Sequence, residues 1–250
     1  MKIPSILEML EAGVHFGHQS SRWHPRMRPY IFTQRNGVHI IDLEKTQTEL
    51  EKTLAAVKKM AAEGKQILFI TTKPQARDIV RDAAIDCGMP YLVERWIGGF
   101  ITNFDEIKKL LNKYISLKEQ LETGGLEKYT KKERLEISKE IEKMGVSLAG
   151  LVSLKSIPDA LFVPAMQREK TAVTEANRLN VPIVAVCDTN ANPDKADYII
   201  PANDDAIKSI TMMVNLVSTA AKEGREEWEK KQIAEKGNVK DVKKGEKKSS

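Results

Sequence analysis

Residues Ile67–Thr71 read Ile-Leu-Phe-Ile-Thr, an apolar run without polar alternation. A strand with one wet face alternates, whereas a strand covered on both faces does not. The run therefore predicts a buried strand of a parallel sheet with helices above and below. Short apolar segments recur at Val38–Ile41, Tyr91–Val93, Ala160–Val163, Pro182–Val186 and Tyr198–Ile200. Helical patterns lie between them. Leu43, Leu50, Leu54, Val57 and Ala61 follow Asp42 at helical spacing until Gly64 stops the pattern. Thr72 and Pro74 open a helix ending near Gly88, Arg168–Leu179 forms another, and a last long helix begins at Asp204. Strands alternating with helices predict an α/β sheet with helices on both faces.

The alternation breaks between Asn103 and Lys155. Ile107, Leu110 or Leu111, Tyr114, Leu117 and Leu121 form one seam; after Thr123-Gly124-Gly125, a second runs through Ile137, Ile141, Met144, Leu148 and Leu151. The second seam steps 4, 3, 4, 3, a heptad pattern. Two such helices joined by a glycine-containing turn predict an inserted antiparallel coiled-coil hairpin about 30 Å long. Two more helices packed on the sheet would be the plainer outcome. The expected organisation is a discontinuous α/β domain over 1–102 and 156–228, a hairpin over 103–155, and a lysine-rich, disordered tail over 229–250.

The net charge of +5 is unevenly placed. The tail from Glu229 holds +4 of it, which leaves the remainder nearly neutral, so a nucleic-acid surface has to be local. One segment qualifies. No acid occurs in the 30 residues between Glu11 and Asp42, although 35 acids in 250 residues place about four in such a span. It contains Arg22, Arg26, Arg28 and Arg35, all four histidines, and Phe16, Trp23, Tyr30 and Phe32. Arginine forks bind phosphate bidentately and aromatic rings stack on unpaired bases, the pairing used on RNA. Pro25 and Pro29, four apart, are expected to forbid a helix here, so that the side chains project from an extended, irregular loop. A basic loop whose aromatics tuck into the domain is the competing reading.

Enzymatic patterns are missing. The turn Thr72-Lys73-Pro74-Gln75 has no glycine to let backbone approach a diphosphate, and neither dinucleotide nor P-loop spacing occurs. Cys87 and Cys187 lie far apart, which excludes a zinc ribbon and offers no disulfide framework. No apolar run approaches the ~20 residues of a membrane helix, and the amino terminus reads as neither signal nor transit peptide, so a cytoplasmic chain is expected. His15 and His18 stand in an HxxH pair, more often structural than metal-binding. Asp188 follows one strand, and Asp204-Asp205 follow another. If those strands are parallel neighbours, the three carboxylates meet at one sheet edge, where they could hold a divalent cation or simply cap the last helix.

Several segments resemble one family. Leu10-Glu11-Ala12-Gly13-Val14-His15-Phe16-Gly17-His18, Arg95-Trp96-Ile97-Gly98-Gly99-Phe100-Ile101-Thr102-Asn103, Pro158–Val163, Glu175-Ala176, Asp188-Thr189-Asn190 and Ile200–Ile207 occur in the order seen in the bacterial-type small-ribosomal-subunit protein two family. The resemblance spans about residues 5–227. It implies a flavodoxin-like domain bearing a coiled-coil hairpin, no catalysis, and a ribosomal role at the junction of head and body. The partners it implies are small-subunit rRNA and neighbouring ribosomal proteins, including ribosomal protein one. It also raises the case for a metal, zinc or magnesium, on Asp188, Asp204 and Asp205 with His18; no other cofactor is expected. The RNA-contact candidates are Arg22, Trp23, His24, Arg26, Arg28 and Arg35, with Arg95 and Trp96. In Arg95–Asn103, Gly98-Gly99 is expected to form the hinge into the hairpin and Asn103 to cap its first helix. A sugar-phosphate-binding α/β enzyme and a coiled-coil protein adaptor are the alternative functions.

Overall fold

The computed structural model describes residues 3–126 and 129–246, with side chains described through Ile233. A short helix α1 (Ile6–Glu11) opens the chain, its end closed by reciprocal hydrogen bonds between Ser5 and Glu8. Three strands follow: β1 (Phe16–Gln19), β2 (Ile31–Arg35) and β3 (Val38–Ile41). They form a separate antiparallel sheet in the order β1-β3-β2. Val38–Ile41 is thus a strand as expected, but not of the main sheet. Between β2 and β3 only Asn36 and Gly37 remain, both at positive φ (52° and 76°), the two-residue turn whose twist matches paired antiparallel strands. The segment between β1 and β2 is not an extended loop. Ser20–Arg22 and Pro25–Tyr30 wind into 3-10 turns, with Pro25 at the first helical position and Pro29 within. Proline is barred from the α-helical interior, but in so short a turn its missing N–H forfeits little.

The main body continues with α2 (Leu43–Ala62), β4 (Ile67–Ile70), α3 (Arg77–Cys87), β5 (Tyr91–Leu92), α4 (Phe104–Glu122) and α5 (Lys131–Leu148). It ends with β6 (Ala160–Val163), α6 (Lys170–Arg178), β7 (Ile183–Cys187), β8 (Tyr198–Pro201) and α7 (Ile207–Glu246). Strands β4 to β8 make a five-stranded parallel sheet in the order β5-β4-β6-β7-β8. Numbered among themselves, that is 2-1-3-4-5, the doubly wound order of flavodoxin-like sheets. Because strand side chains alternate, each strand feeds two cores. Ile67, Phe69, Phe162, Val184 and Val186 pack with α2, α3 and α7 on one face. Leu68, Ile70, Leu161, Val163, Ile183 and Ala185 pack with α6 and the bases of α4 and α5 on the other. Both faces are covered, which is why these strands carry no polar alternation.

Helices α4 and α5 lie side by side. Ile107, Leu111 and Tyr114 are buried from α4, with Ile141 and Leu148 from α5, while Leu110 and Leu121 face solvent. The seam choice left open by the sequence therefore falls on Leu111. Lys113 Nζ meets Glu140 Oε1 at 2.6 Å across the pair. Asn103 occupies the N-cap position of α4, but its side chain makes no cap bond, contrary to expectation. Helix α7 starts at Ile207, not Asp204, and continues through Glu246 into the stretch expected to be a disordered tail; residues 247–250 lie outside the described residues. No helix among the described residues is long and apolar enough to cross a membrane.

Candidate functional site

The acid-free segment presents its arginines on a pinned surface. Met27 is fully buried beneath it, among the residues of the second core. The amide of His24 donates to the Thr189 carbonyl at 2.7 Å, and His24 Nδ1 accepts from the Arg26 amide at 3.2 Å. Around these anchors Arg22, Arg26, Arg28 and Arg35 are all exposed. Among the described residues only Arg26 of these four has an ionic partner, Asp194, at 3.1 Å, and both side chains are mostly in water, so that pair is weak. Trp23 rests its ring 5.2 Å from that of His39 and remains 36% exposed. Phe32 on β2 is 74% exposed, an aromatic not picked out from sequence as an RNA-contact candidate. His24 is half-buried and anchors the loop through both its amide and its ring.

A second constellation lies directly behind this loop, at the carboxyl ends of β7 and β8. The His18 amide donates to Thr189 Oγ1 at 2.8 Å, so Thr189 holds both β1 and the basic loop. His18 Nδ1 is 3.1 Å from Asp188 Oδ2 and its Nε2 is 3.4 Å from Asp205 Oδ2. Of the four residues expected to converge, His18, Asp188 and Asp204 do so, whereas Asp205 reaches His18 only at 3.4 Å and is held by a residue the sequence did not suggest. Lys73, from the turn after β4, places Nζ 3.1 Å from Asp204 Oδ1 and 2.7 Å from Asp205 Oδ1, and also donates to the Asp204 carbonyl. Asp204 does not cap α7, which starts at Ile207. In the turn before that helix Asn203 Oδ1 accepts from the amides of Asp205 and Ala206 at 2.8 and 3.2 Å.

The electrostatics of this cluster follow from burial. Asp188 and Asp204 are 1% and 5% exposed. Desolvation, reinforced by Asp188, lifts the Asp204 carboxyl to about 6. Asp205 is pushed up by burial, but the Lys73 hydrogen bond and charge prevail and hold it below its ordinary value. The hydrogen bond to Asp188 raises His18, against the opposing effect of burial. Three carboxylates face one ammonium, so negative charge is left over for His18 or a cation to neutralise. Donor atoms of His18, Asp188 and Asp204 lie within 4.8 Å of one another, a set that fits a divalent ion; Asp205 is engaged by Lys73 instead. Of the HxxH pair only His18 joins the cluster: burial lowers His15, and its Nδ1 is buried without a hydrogen-bond partner among the described residues.

Arg95 and Trp96 sit elsewhere, in the connection from β5 to α4. Arg95 is exposed, whereas Trp96 is half-buried, its ring 5.1 Å from Phe100 and its Nε1 donating to Glu175 Oε1 at 2.9 Å. Glu175 also accepts from the amides of Gly99 at 2.9 Å and Ile101 at 3.1 Å. These donors outweigh burial and hold its carboxyl below the ordinary value. Neither Lys73 nor Glu175 stands in a pattern that names its partner; each is recognisable only when distant parts of the chain are brought together.

The family described as Ribosomal protein S2 matches residues 9–224. The chain is also similar to the small ribosomal subunit protein uS2 of Bdellovibrio bacteriovorus, at 45% identity over 227 residues, covering 91% of this chain and 72% of that protein.

Proposed function

The chain belongs to the ribosomal protein S2 family, and from that premise we propose that it is a non-catalytic constituent of the small ribosomal subunit that binds small-subunit rRNA through the loop Arg22–Arg28. The observation carrying this reading is the set of exposed guanidiniums at Arg22, Arg26, Arg28 and Arg35, together with exposed Trp23 and Phe32, on a backbone pinned by Met27 and Thr189. A rigid platform of this kind meets phosphates without first being ordered, which limits the entropy lost on binding. The site of action is the head–body junction in the cytoplasmic ribosome, where the protein helps recruit ribosomal protein one. The pair α4 and α5 acts as a coiled-coil arm reaching neighbouring RNA or protein. His18, Asp188 and Asp204 hold a divalent cation, zinc rather than magnesium because imidazole is among the donors, and that ion ties β1 to the sheet behind the RNA-facing loop. Sedimentation tests the reading: tagged protein co-migrates with small subunits in a lysate gradient, and failure to do so contradicts it.

A further inference from the structure

A crevice opens at the carboxyl ends of β4 and β6, where the chain leaves β4 toward α3 on one face and β6 toward α6 on the other. Doubly wound sheets bind ligands at such a divergence. Here it forms a cavity of about 400 Å³, within the usual range for small-molecule pockets. Its walls include Thr72, Glu94, Arg95, Trp96, Arg168 and Glu169. Glu94 is already paired with Arg77 at 2.6 Å. Arg95 and Arg168 are exposed and have no ionic partner among the described residues. Glu169, which also lines the crevice, is 4% exposed; its Oε1 accepts from the Thr72 amide and hydroxyl at 2.5 and 2.8 Å, while Oε2 has no hydrogen bond among the described residues.

We infer that this crevice is a binding pocket for one nucleotide, with its phosphate on the Arg95 and Arg168 guanidiniums, its base beside Trp96, and an exocyclic amino group on Glu169. The chemistry is divided to suit that ligand. Two free guanidiniums bind a phosphate by charge-assisted, forked hydrogen bonds. The glycine-free turn after β4 cannot cradle a diphosphate with its amides, so one phosphate held by side chains is the match. A buried carboxylate with a free oxygen accepts from an amino group such as that of cytosine and repels a carbonyl in the same place. The nucleotide comes either free or as one residue of an RNA strand. The pocket is distinct from the Arg22–Arg28 loop, and the inference does not depend on that loop binding RNA.

The full chain carries three tryptophans, so fluorotryptophan labelling gives three fluorine resonances, with Trp96 assigned through Trp96→Phe. The probes are CMP, UMP, inorganic phosphate and a 5′-phosphorylated oligocytidylate. The inference requires a saturable shift of the Trp96 resonance with CMP or the oligonucleotide, at least tenfold weaker in the Arg95→Gln/Arg168→Gln variant. UMP and inorganic phosphate bind more weakly than CMP if CMP binds. Response to CMP identifies a free nucleotide as sufficient; response to the oligonucleotide alone identifies the strand as the source. The Arg22→Ala/Arg26→Ala/Arg28→Ala variant keeps the Trp96 response even if its overall RNA affinity falls, which separates the pocket from the loop. A Trp96 resonance unmoved by every probe, or moved equally in the Arg95/Arg168 variant, overturns the inference. So does a response to inorganic phosphate equal to that for CMP.

Discussion

The indole N–H of Trp96 donates to Glu175 Oε1 at 2.9 Å, joining the segment after β5 to helix α6. The same carboxylate binds the Gly99 and Ile101 amides, so one buried acid shapes the connection into α4. Glu175→Ala leaves those donors unsatisfied and is expected to cost about 2–3 kcal/mol in denaturant unfolding, with a smaller loss for Glu175→Gln. The pH dependence has a definite sign. Because the folded carboxyl lies below its ordinary value, its contribution is complete above the unfolded pKa of about 4.3 and is lost as pH falls through the folded value. The stability difference between wild type and Glu175→Gln therefore stays constant above about pH 5 and shrinks below it. A difference that widened on acidification would rule out the ionised clamp.

Lys73 is the resident cation of the acidic cluster. Lys73→Met leaves Asp204 and Asp205 without their ammonium and is expected to lower stability by about 3 kcal/mol, partly recovered when Asp204→Asn is added. Thermal melts of the two variants measure this.

The proposed metal gives a separate outcome. Purified protein carries one divalent ion by elemental analysis, and chelation lowers its Tm by mass action. Asp188→Asn abolishes the chelator effect. Asp205→Asn does not, since that carboxylate faces Lys73 and lies outside the converging donor set. No stoichiometric metal and no chelator effect would leave the cluster to Lys73 and His18 alone.

Helices α2 and α7 cross at Gly224. A Cβ there meets the Lys58 carbonyl oxygen, and stands 2.8 Å from Ala61 Cβ and 3.0 Å from the Ala62 amide nitrogen. Backbone cannot swing aside as a flexible side chain can. Gly224→Ala, despite its better helix propensity, should destabilise the chain by about 1–3 kcal/mol, measured by chemical denaturation.

The two glycines of the hinge are not equivalent. Gly99 sits at φ +81°, where a side chain is strained, whereas a Cβ on Gly98 meets nothing within 4 Å. Gly99→Ala is expected to cost about 1 kcal/mol and Gly98→Ala no more than about 0.5 kcal/mol. Equal losses at both positions would restore the symmetric hinge expected from sequence.

The parallel sheet was legible because burial on both faces leaves an unbroken apolar run, as at Ile67–Ile70, and because Gly64 and Gly88 mark helix ends. The convergence of Asp188 with Asp204 followed from strand adjacency alone. The antiparallel sheet of β1, β2 and β3 did not emerge, although Asn36-Gly37 is the strongest short hairpin signal and stood in plain view; the flanking β2 is too exposed to alternate. Pro25 and Pro29 do not forbid a helix or impose an extended chain, since a 3-10 turn tolerates them. Lys73 and Glu175 act across 131 and 79 residues of sequence, and a single polar side chain has no periodicity from which such a partner can be read.

The central claim, that the exposed arginines of the pinned loop bind rRNA phosphates, is tested most directly by the salt dependence of binding. Full-length wild type and the Arg22→Ala/Arg26→Ala/Arg28→Ala variant are titrated with small-subunit rRNA across a range of monovalent salt. Folding should be unaffected, since exposed arginines change stability by under about 0.5 kcal/mol each. Affinity should fall, and the slope of log affinity against log salt should flatten by up to about one unit per lost phosphate contact. A variant that folds normally yet keeps the wild-type slope would contradict the claim.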